Sequence, residues 1–107
     1  MTKSSFKSKS FTSKNILDLV HTDLCRHMGV QSYCGARYFI LFVDDHTRMM
    51  HGMFLKEKSD AFQFFKWYLA KVEKETCRNL KCLRFDRGGE FTSNEFNLFC
   101  NDRGIKR

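Results

Sequence analysis

Four stretches of the chain carry the apolar patterns of β-strands. Residues 16–24 combine a short apolar run with partial alternation, and residues 37–43 form a continuous β-branched and aromatic run, typical of a strand buried on both faces. Residues 49–56 follow a polar turn at residues 44–48, which predicts an antiparallel hairpin. Residues 80–86 alternate less cleanly and predict a fourth strand that ends at an acidic residue. These stretches together predict a sheet.

A helical spacing of apolar residues follows the third predicted strand. Residues 59–76 predict an amphipathic helix with Ser59 as its N-cap and with Asp60 in the first turn, where a negative charge suits the helix dipole. We expect the apolar stripe to pack in the core rather than to bind a ligand. The stripe contains Ala61, Phe64, Phe65, Tyr68, Leu69 and Val72.

A second helix is predicted after the fourth strand. Residues 92–95, Thr-Ser-Asn-Glu, have the form of a capping box, and Gly104 stands where a helix C-terminus favours glycine. Residues 105–107 look like the start of another element. Phe96, Phe99 and Cys100 are expected to form the buried face of this helix.

The predicted elements give an α/β fold with the order β-β-β-α-β-α. Residues 1–15 are rich in serine, threonine and lysine and show no periodicity, which predicts a flexible basic linker or arm. Residues 16–107 are expected to form one domain. Because residues 105–107 have the pattern of the start of another element, we expect this domain to be incomplete and to lack its last strand and helices.

The charge balance of the chain indicates which class of molecule it binds. The 107 residues contain 19 Lys and Arg against 12 Asp and Glu, a formal charge of +7, and 42% hydrophobic residues, which excludes a disordered chain. The basicity favours nucleic acid as a partner. No apolar run is long enough for a membrane helix, and the first residues lack the apolar segment of a secretory signal, so a nuclear or cytoplasmic protein is expected. More than half of the net charge comes from Lys3, Lys7, Lys9 and Lys14 in the arm.

The cysteines fit an intracellular protein. There are 5 of them, an odd number, and no pair has the Cys-x-x-Cys spacing of a zinc ribbon or redox motif. A zinc site built from His21, Cys25, His27 and Cys34 is one interpretation, although its spacing matches no standard finger. The alternative is that these are buried thiols and ordinary loop residues.

Two carboxylates stand at the ends of predicted strands. Asp23 lies near the end of the first, and Asp86 ends the fourth beside a Gly-Gly turn. Ligands of α/β folds bind at the carboxyl ends of strands, and two carboxylates on neighbouring strands could hold Mg²⁺, two ions of which can clamp both oxygens of a phosphodiester displacement. The alternative is that acids simply end strands, as they often do.

Three other acids are interpreted structurally. Asp44 and Asp45 are adjacent, so on an extended chain they point to opposite faces and cannot easily serve one metal. We expect a turn role, with Asp45 capping the turn before Thr47 and Arg48. Glu90 is expected to hydrogen-bond within the loop after Asp86.

Several co-linear blocks of the sequence closely resemble the integrase core of copia-type retrotransposons. The resemblance runs in order from about residue 16 to residue 107. It is carried by His21-Thr22-Asp23-Leu24-Cys25, by Ala36-Arg37-Tyr38-Phe39-Ile40 with Val43-Asp44-Asp45 and Arg48, by residues 54–59, by Leu83-Arg84-Phe85-Asp86-Arg87-Gly88-Gly89-Glu90-Phe91, and by residues 93–96 and 104–107.

The resemblance implies a ribonuclease H-like fold and a polynucleotidyl transferase that joins the DNA ends of a retroelement to target DNA. It implies an Asp, Asp, Glu triad with two Mg²⁺ or Mn²⁺ ions, in which Asp23 and Asp86 match the first two acids. The third, a glutamate, would lie beyond residue 107, and Glu90 belongs to the second motif. We therefore expect the metal in the complete enzyme and no activity in this fragment alone.

Two alternatives to a catalytic fragment are open. A non-catalytic module could bind nucleic acid through its charge, with an affinity that depends steeply on salt. A self-associating remnant, and hence a homo-oligomer, could instead form through a face that missing helices would cover.

Overall fold

The computed structural model describes residues 14–26, 36–85 and 93–107. The elements within these residues follow the predicted order. They are β1 (Val20–Arg26), β2 (Tyr38–Asp44), β3 (Met50–Leu55), α1 (Asp60–Thr76), β4 (Leu83–Phe85) and α2 (Asn94–Arg103).

The four strands form one mixed sheet in the order β3-β2-β1-β4. β2 pairs antiparallel with both β1 and β3, as the predicted hairpin requires. β4 lies parallel to β1, with Val20 opposite Leu83. Beyond β4, Lys106 forms a parallel bridge to Cys82, and its N–H donates to the Lys81 carbonyl at 2.9 Å. Lys106 thus pairs with the sheet beyond β4 through an isolated bridge.

The core lies on one face of the sheet, against α1. Phe42 of β2 is fully buried and stacks on Tyr68 with ring centroids 4.5 Å apart. Phe65 of α1 also contacts Phe42, and its ring lies 5.5 Å from that of Phe96 in α2, so both helices cover the same side. All six residues of the predicted α1 stripe are buried: Ala61, Phe64, Phe65, Tyr68, Leu69 and Val72.

The second face of the sheet is only half-buried, which corrects the prediction that residues 37–43 are buried on both faces. Along β2, Ile40 and Phe42 are buried, whereas Phe39, Leu41 and Val43 are intermediate. The reason is that, within the described ranges, α1 and α2 lie on one side of the sheet and no helix lies on the other.

Two strands begin later than predicted. Residues 16–18 form a turn rather than the start of β1, and Leu17 has φ of 70°, which no strand adopts. The Leu17 carbonyl accepts from the Lys81 N–H at 3.0 Å, and Leu80 donates to the Glu73 carboxylate at 2.9 Å. Because these backbone groups form hydrogen bonds outside the pairing of β1 with β4, β4 starts only at Leu83.

The N-cap position of α1 and the glycine that ends α2 agree with the sequence, whereas the N-cap of α2 does not. Ser59 precedes α1 but its side chain makes no capping bond; instead the Asp60 carboxylate accepts the Glu57 N–H at 3.1 Å. The N-cap of α2 is Ser93, whose hydroxyl accepts the Phe96 N–H at 3.1 Å, one residue after the position expected from the capping box. Gly104 ends α2 with φ of 70°, as predicted.

Candidate functional site

Asp23 lies in the middle of β1, on the second face of the sheet, and not near the end of the strand as predicted, because pairing with β2 continues to Arg26. Side chains alternate along a strand, and the neighbouring Thr22 and Leu24 are buried under the helices. Asp23 is half-buried and stands opposite Leu41 of β2. Its carboxylate therefore lies on the side that α1 and α2 do not cover.

The parallel pairing of β1 and β4 determines which residues approach Asp23. Phe85, the last described residue of β4, pairs with Thr22, the residue just before Asp23. Asp86 directly follows Phe85 in the chain but lies outside the described residues, as does Glu90. The end of β4, which precedes the second predicted carboxylate in the chain, therefore lies beside the part of β1 that carries Asp23.

A histidine–carboxylate pair on the same face of β1 was not predicted from the sequence. His21 lies two residues before Asp23, and its Nε2 is 2.8 Å from Oδ1 of Asp45. Arg48 lies 3.9 Å from the same oxygen. Because His21 stands opposite Val43 in the β1–β2 register, the chain brings Asp45 alongside it. The sequence alone does not indicate that His21 pairs with Asp45, because the pairing depends on the register between β1 and β2. The pair ties the strand that carries Asp23 to the turn after β2.

The turn after β2 is capped by Asp44, not by Asp45 as expected. Asp44 is 2% exposed, and its Oδ2 accepts the N–H groups of His46 at 3.1 Å and of Thr47 at 2.8 Å. Its Oδ1 accepts the Leu17 N–H at 2.7 Å. Burial raises the pKa of the Tyr68 phenol, and the negative charge of Asp44 raises it further.

The structure offers little support for the zinc interpretation. His27 and Cys34 lie outside the described residues, while Cys25 is exposed and His21 is paired with Asp45. No group of three or more His, Cys, Asp or Glu suited to a metal occurs among the described residues. Cys100 is a buried thiol, and its burial raises its pKa.

Neither helix in the described part of the chain is long and apolar enough to cross a membrane.

Comparison with known proteins decides the family. Residues 10–107 match the family described as Integrase core domain. The chain belongs to the integrase core domain family. Relatives of this integrase core include the "Retrovirus-related Pol polyprotein from transposon TNT 1-94" of Nicotiana tabacum, 46% identical over 102 residues, and the one "from transposon RE2" of Arabidopsis thaliana, 30% identical over 86 residues.

The integrase core is a small part of those polyproteins. The match covers 95% of this chain but 8% of the Nicotiana polyprotein, and 80% of this chain but 6% of the Arabidopsis one. The chain is therefore an integrase core segment of the type found in retrotransposon Pol polyproteins.

A solved structure shows the same fold. A chain in the cryo-EM structure of a simian T-cell lymphotropic virus intasome, in complex with PP2A regulatory subunit B56 gamma, matches with a TM-score of 0.63 at 16% sequence identity. The match covers 84% of this chain and 30% of that one. The integrase core accordingly has the ribonuclease H-like α/β fold that the sequence predicts.

Proposed function

We propose that residues 16–107 are part of a copia-type integrase catalytic domain, which acts on DNA by metal-dependent polynucleotidyl transfer. In this proposal Asp23 and Asp86 bind Mg²⁺ or Mn²⁺. The observation that carries it is the parallel pairing of Thr22 with Phe85, the residues that directly precede the two carboxylates. The basic linker or arm at residues 1–15 would lie outside this domain.

The chain connectivity supports a shared site. Asp23 directly follows Thr22 and Asp86 directly follows Phe85 in the chain, so each is one peptide bond, about 3.8 Å between Cα atoms, from a member of this pair. Neighbouring strands are separated by about 4.8 Å. In this proposal the two carboxylates share one hydrated cation.

The donor set also suits the proposed metal. Mg²⁺ binds through one or two carboxylates and keeps several waters and substrate phosphates. When bound, it would supply positive charge that stabilises the attacking and leaving oxygens of a phosphodiester. Asp23 and Asp86 would hold it, and the His21–Asp45 pair would keep β1 in place. Asp23 is half-buried, and in this proposal a nucleic-acid substrate approaches it on the face that α1 and α2 do not cover.

Residues 1–107 assayed as a separate polypeptide are expected to show neither 3′-end processing nor strand transfer with Mg²⁺. The physical reason is that two carboxylates hold the cations incompletely, and the resemblance places the third acid outside these residues. The measurement is an assay with labelled donor DNA. Joining of donor ends by the purified chain would contradict this expectation.

Removal of either carboxylate is expected to weaken Mn²⁺ binding by about tenfold or more, because each supplies a direct ligand. The measurement is a calorimetric titration of the chain and of the variants Asp23→Asn and Asp86→Asn. The double variant should lose little beyond either single one, since both residues serve one site.

Asp102→Asn is the matched control for this titration. Asp102 is an exposed acid of α2, remote from β1, so its loss should leave the Mn²⁺ affinity unchanged. If all three single substitutions had the same effect, binding would be a general response to negative charge and the proposed site would be wrong.

A non-catalytic role in nucleic-acid binding is supported by the net charge of +7. If the arm contacts two to four phosphates, affinity for duplex DNA should fall roughly tenfold to a hundredfold between about 50 and 200 mM salt. Replacing Lys3, Lys7 and Lys9 with glutamine should flatten this dependence. Lys71→Gln is the control, because Lys71 is already paired with Glu75 at 2.8 Å. A dependence unaffected by the arm substitutions would exclude the arm as the contact.

A further inference from the structure

Arg84 of β4 lies on the same face of the sheet as Asp23. Its neighbours in the strand face the helices, since Leu83 is fully buried and the ring of Phe85 lies 5.8 Å from that of Phe96 in α2. Side chains alternate along a strand, so Arg84 is directed to the second face of the sheet, the side that α1 and α2 do not cover. Arg84 is exposed there.

The register between β1 and β4 places Arg84 beside His21. These two residues are directly paired, and His21 stands two residues before Asp23 on β1. A strand rises about 3.3 Å per residue, so the Cα atoms of His21 and Asp23 are about 7 Å apart. Arg84 therefore lies next to the proposed metal site, one step back along the strands.

A second arginine lies near His21 and belongs to the turn after β2. The Nη1 atom of Arg48 lies 3.9 Å from Oδ1 of Asp45, the oxygen that is 2.8 Å from Nε2 of His21. The side chain of Arg48 is 47% exposed, whereas that of Asp45 is 8% exposed. The carboxylate is thus covered, while the guanidinium still reaches solvent. We refer to Arg84, His21 and Arg48 as the basic row.

The backbone conformation of Arg48 is one that a long side chain disfavours. Its φ is 65°, in the left-handed region, where glycine and asparagine are accommodated at lower cost. The Arg48 N–H donates to the Asp44 carbonyl at 2.8 Å, a bond that any residue except proline can make. The turn therefore gains nothing from an arginine at this position, and the contribution of Arg48 lies in its guanidinium.

The basic row has a positive charge next to the two proposed metal ligands. Arg84 and Arg48 are cations and Asp45 is an anion, so the row and its carboxylate partner are net positive even with a neutral histidine. Such a place attracts an anionic ligand. A DNA strand fits, because its phosphates follow one another at a regular spacing. Arginine suits these phosphates, since its planar guanidinium can bind two oxygens at once.

We propose that Arg84 and Arg48 bind the phosphates of a DNA strand that adjoin the phosphate at the Asp23–Asp86 site, and that they thereby position the strand for reaction. This inference rests on the proposed function, because a metal site at Asp23 and Asp86 is what makes the phosphate there the reacting one. Both arginines are substrate-positioning residues, since they contact phosphates that do not react. Contacts of this kind fix the register of a protein on DNA and carry no sequence information.

The first test is the affinity of the 107-residue chain for a labelled DNA duplex, measured by fluorescence anisotropy at several salt concentrations without metal. Arg84→Gln should weaken binding about three- to tenfold at about 50 mM salt. It should also reduce the slope of log affinity against log salt by about 0.9, the change for one phosphate contact. Arg84→Lys should keep the slope, because its charge remains.

Lys74→Gln is the matched control for this titration. Lys74 is exposed on α1, on the other side of the sheet, and its replacement removes the same charge. The slope should therefore stay unchanged. If Arg84→Gln fails to fold, Arg48→Gln replaces it with the same expected result, because Arg48 lies in an exposed part of the turn.

A calorimetric titration with Mn²⁺ separates positioning of the substrate from a structural role. Arg84→Gln should leave the Mn²⁺ affinity unchanged or raise it, because a positive charge beside the ion is removed, whereas a disturbed sheet would lower the affinities for Mn²⁺ and DNA together. Asp23→Asn should lower the Mn²⁺ affinity and leave binding to DNA without metal no weaker. If Asp23→Asn kept the Mn²⁺ affinity, the proposed metal site would fail while the arginine contacts could still be measured.

Three results would overturn the proposal. One is an Arg84→Gln variant with unchanged DNA affinity and slope, and another is an equal loss in Arg84→Gln and Lys74→Gln. The third is a joint fall of the Mn²⁺ and DNA affinities in Arg84→Gln. Displacement of the DNA by polyglutamate at the same concentration of charge would also contradict it, because the surface would then bind anions in general.

Discussion

Phe65→Ala is expected to lower the free energy of unfolding by about 3–5 kcal/mol, the range for truncating a buried phenylalanine. Phe65 is fully buried and contacts the rings of Phe42, Phe96 and Phe99. It therefore joins β2, α1 and α2, and its removal leaves a cavity where the three elements meet. The measurement is urea denaturation followed by circular dichroism.

Leu98→Ala is the control for the Phe65 prediction. Leu98 also lies on a helix but is 68% exposed, so its truncation should change stability by less than about 0.5 kcal/mol. Phe65→Leu should fall between the two, because it retains part of the volume. Equal stability of the Phe65→Ala and Leu98→Ala variants would show that the two helices do not share one core.

Asp44→Ala is expected to destabilise the fold by about 2–4 kcal/mol, because it leaves one buried donor unsatisfied and removes further charge-assisted bonds. The buried donor is the N–H of Leu17, 2.7 Å from the Asp44 carboxylate. Water can replace the bonds to His46 and Thr47, which are exposed, but not this one. Thermal unfolding of the variant is the measurement.

Asp44→Asn separates the contributions at this site. An asparagine retains one acceptor oxygen, which can still serve either Leu17 or the turn but not both, so an intermediate loss is expected. Asp102→Ala removes an exposed acid and should change stability by less than about 0.5 kcal/mol. If Asp44→Ala behaved like Asp102→Ala, the carboxylate would not be what closes the turn after β2.

The regular elements could be predicted because their signals are local. The stripe of α1 repeats at helical spacing, and every residue of it is buried. β2 and β3 are separated by a short polar turn, so the hairpin followed directly from the chain. The end of α2 was also predictable, since Gly104 adopts the left-handed conformation that favours glycine.

The connections were less predictable because they depend on partners distant in sequence. Leu17 looks like a strand residue, yet it turns with φ of 70° because its N–H binds Asp44, which lies 27 residues away. The sequence favoured Asp45 as the cap of the turn after β2, whereas Asp44 accepts the turn's N–H groups. Only the register of β1 with β2 shows that His21 takes Asp45 as its partner.

The sequence predicted some features of the candidate site and not others. The parallel pairing of β4 with β1 agrees with two acids on neighbouring strands, but Asp23 lies in the middle of β1 and not near its end as predicted. That Asp23 lies on the face opposite the helices could not be anticipated, because residues 37–43 looked equally apolar on both faces. Exposure of that face depends on which elements cover it.

Paramagnetic broadening of amide NMR signals by Mn²⁺ is the sharpest test of whether Asp23 and Asp86 form one metal site. The broadening falls off steeply with distance from the ion, so the signals lost first locate it. We expect the amides of Thr22, Asp23, Leu24 and Phe85 to broaden first, and this effect to disappear in Asp23→Asn. Broadening centred on other acids, or unchanged in Asp23→Asn, would contradict the claim.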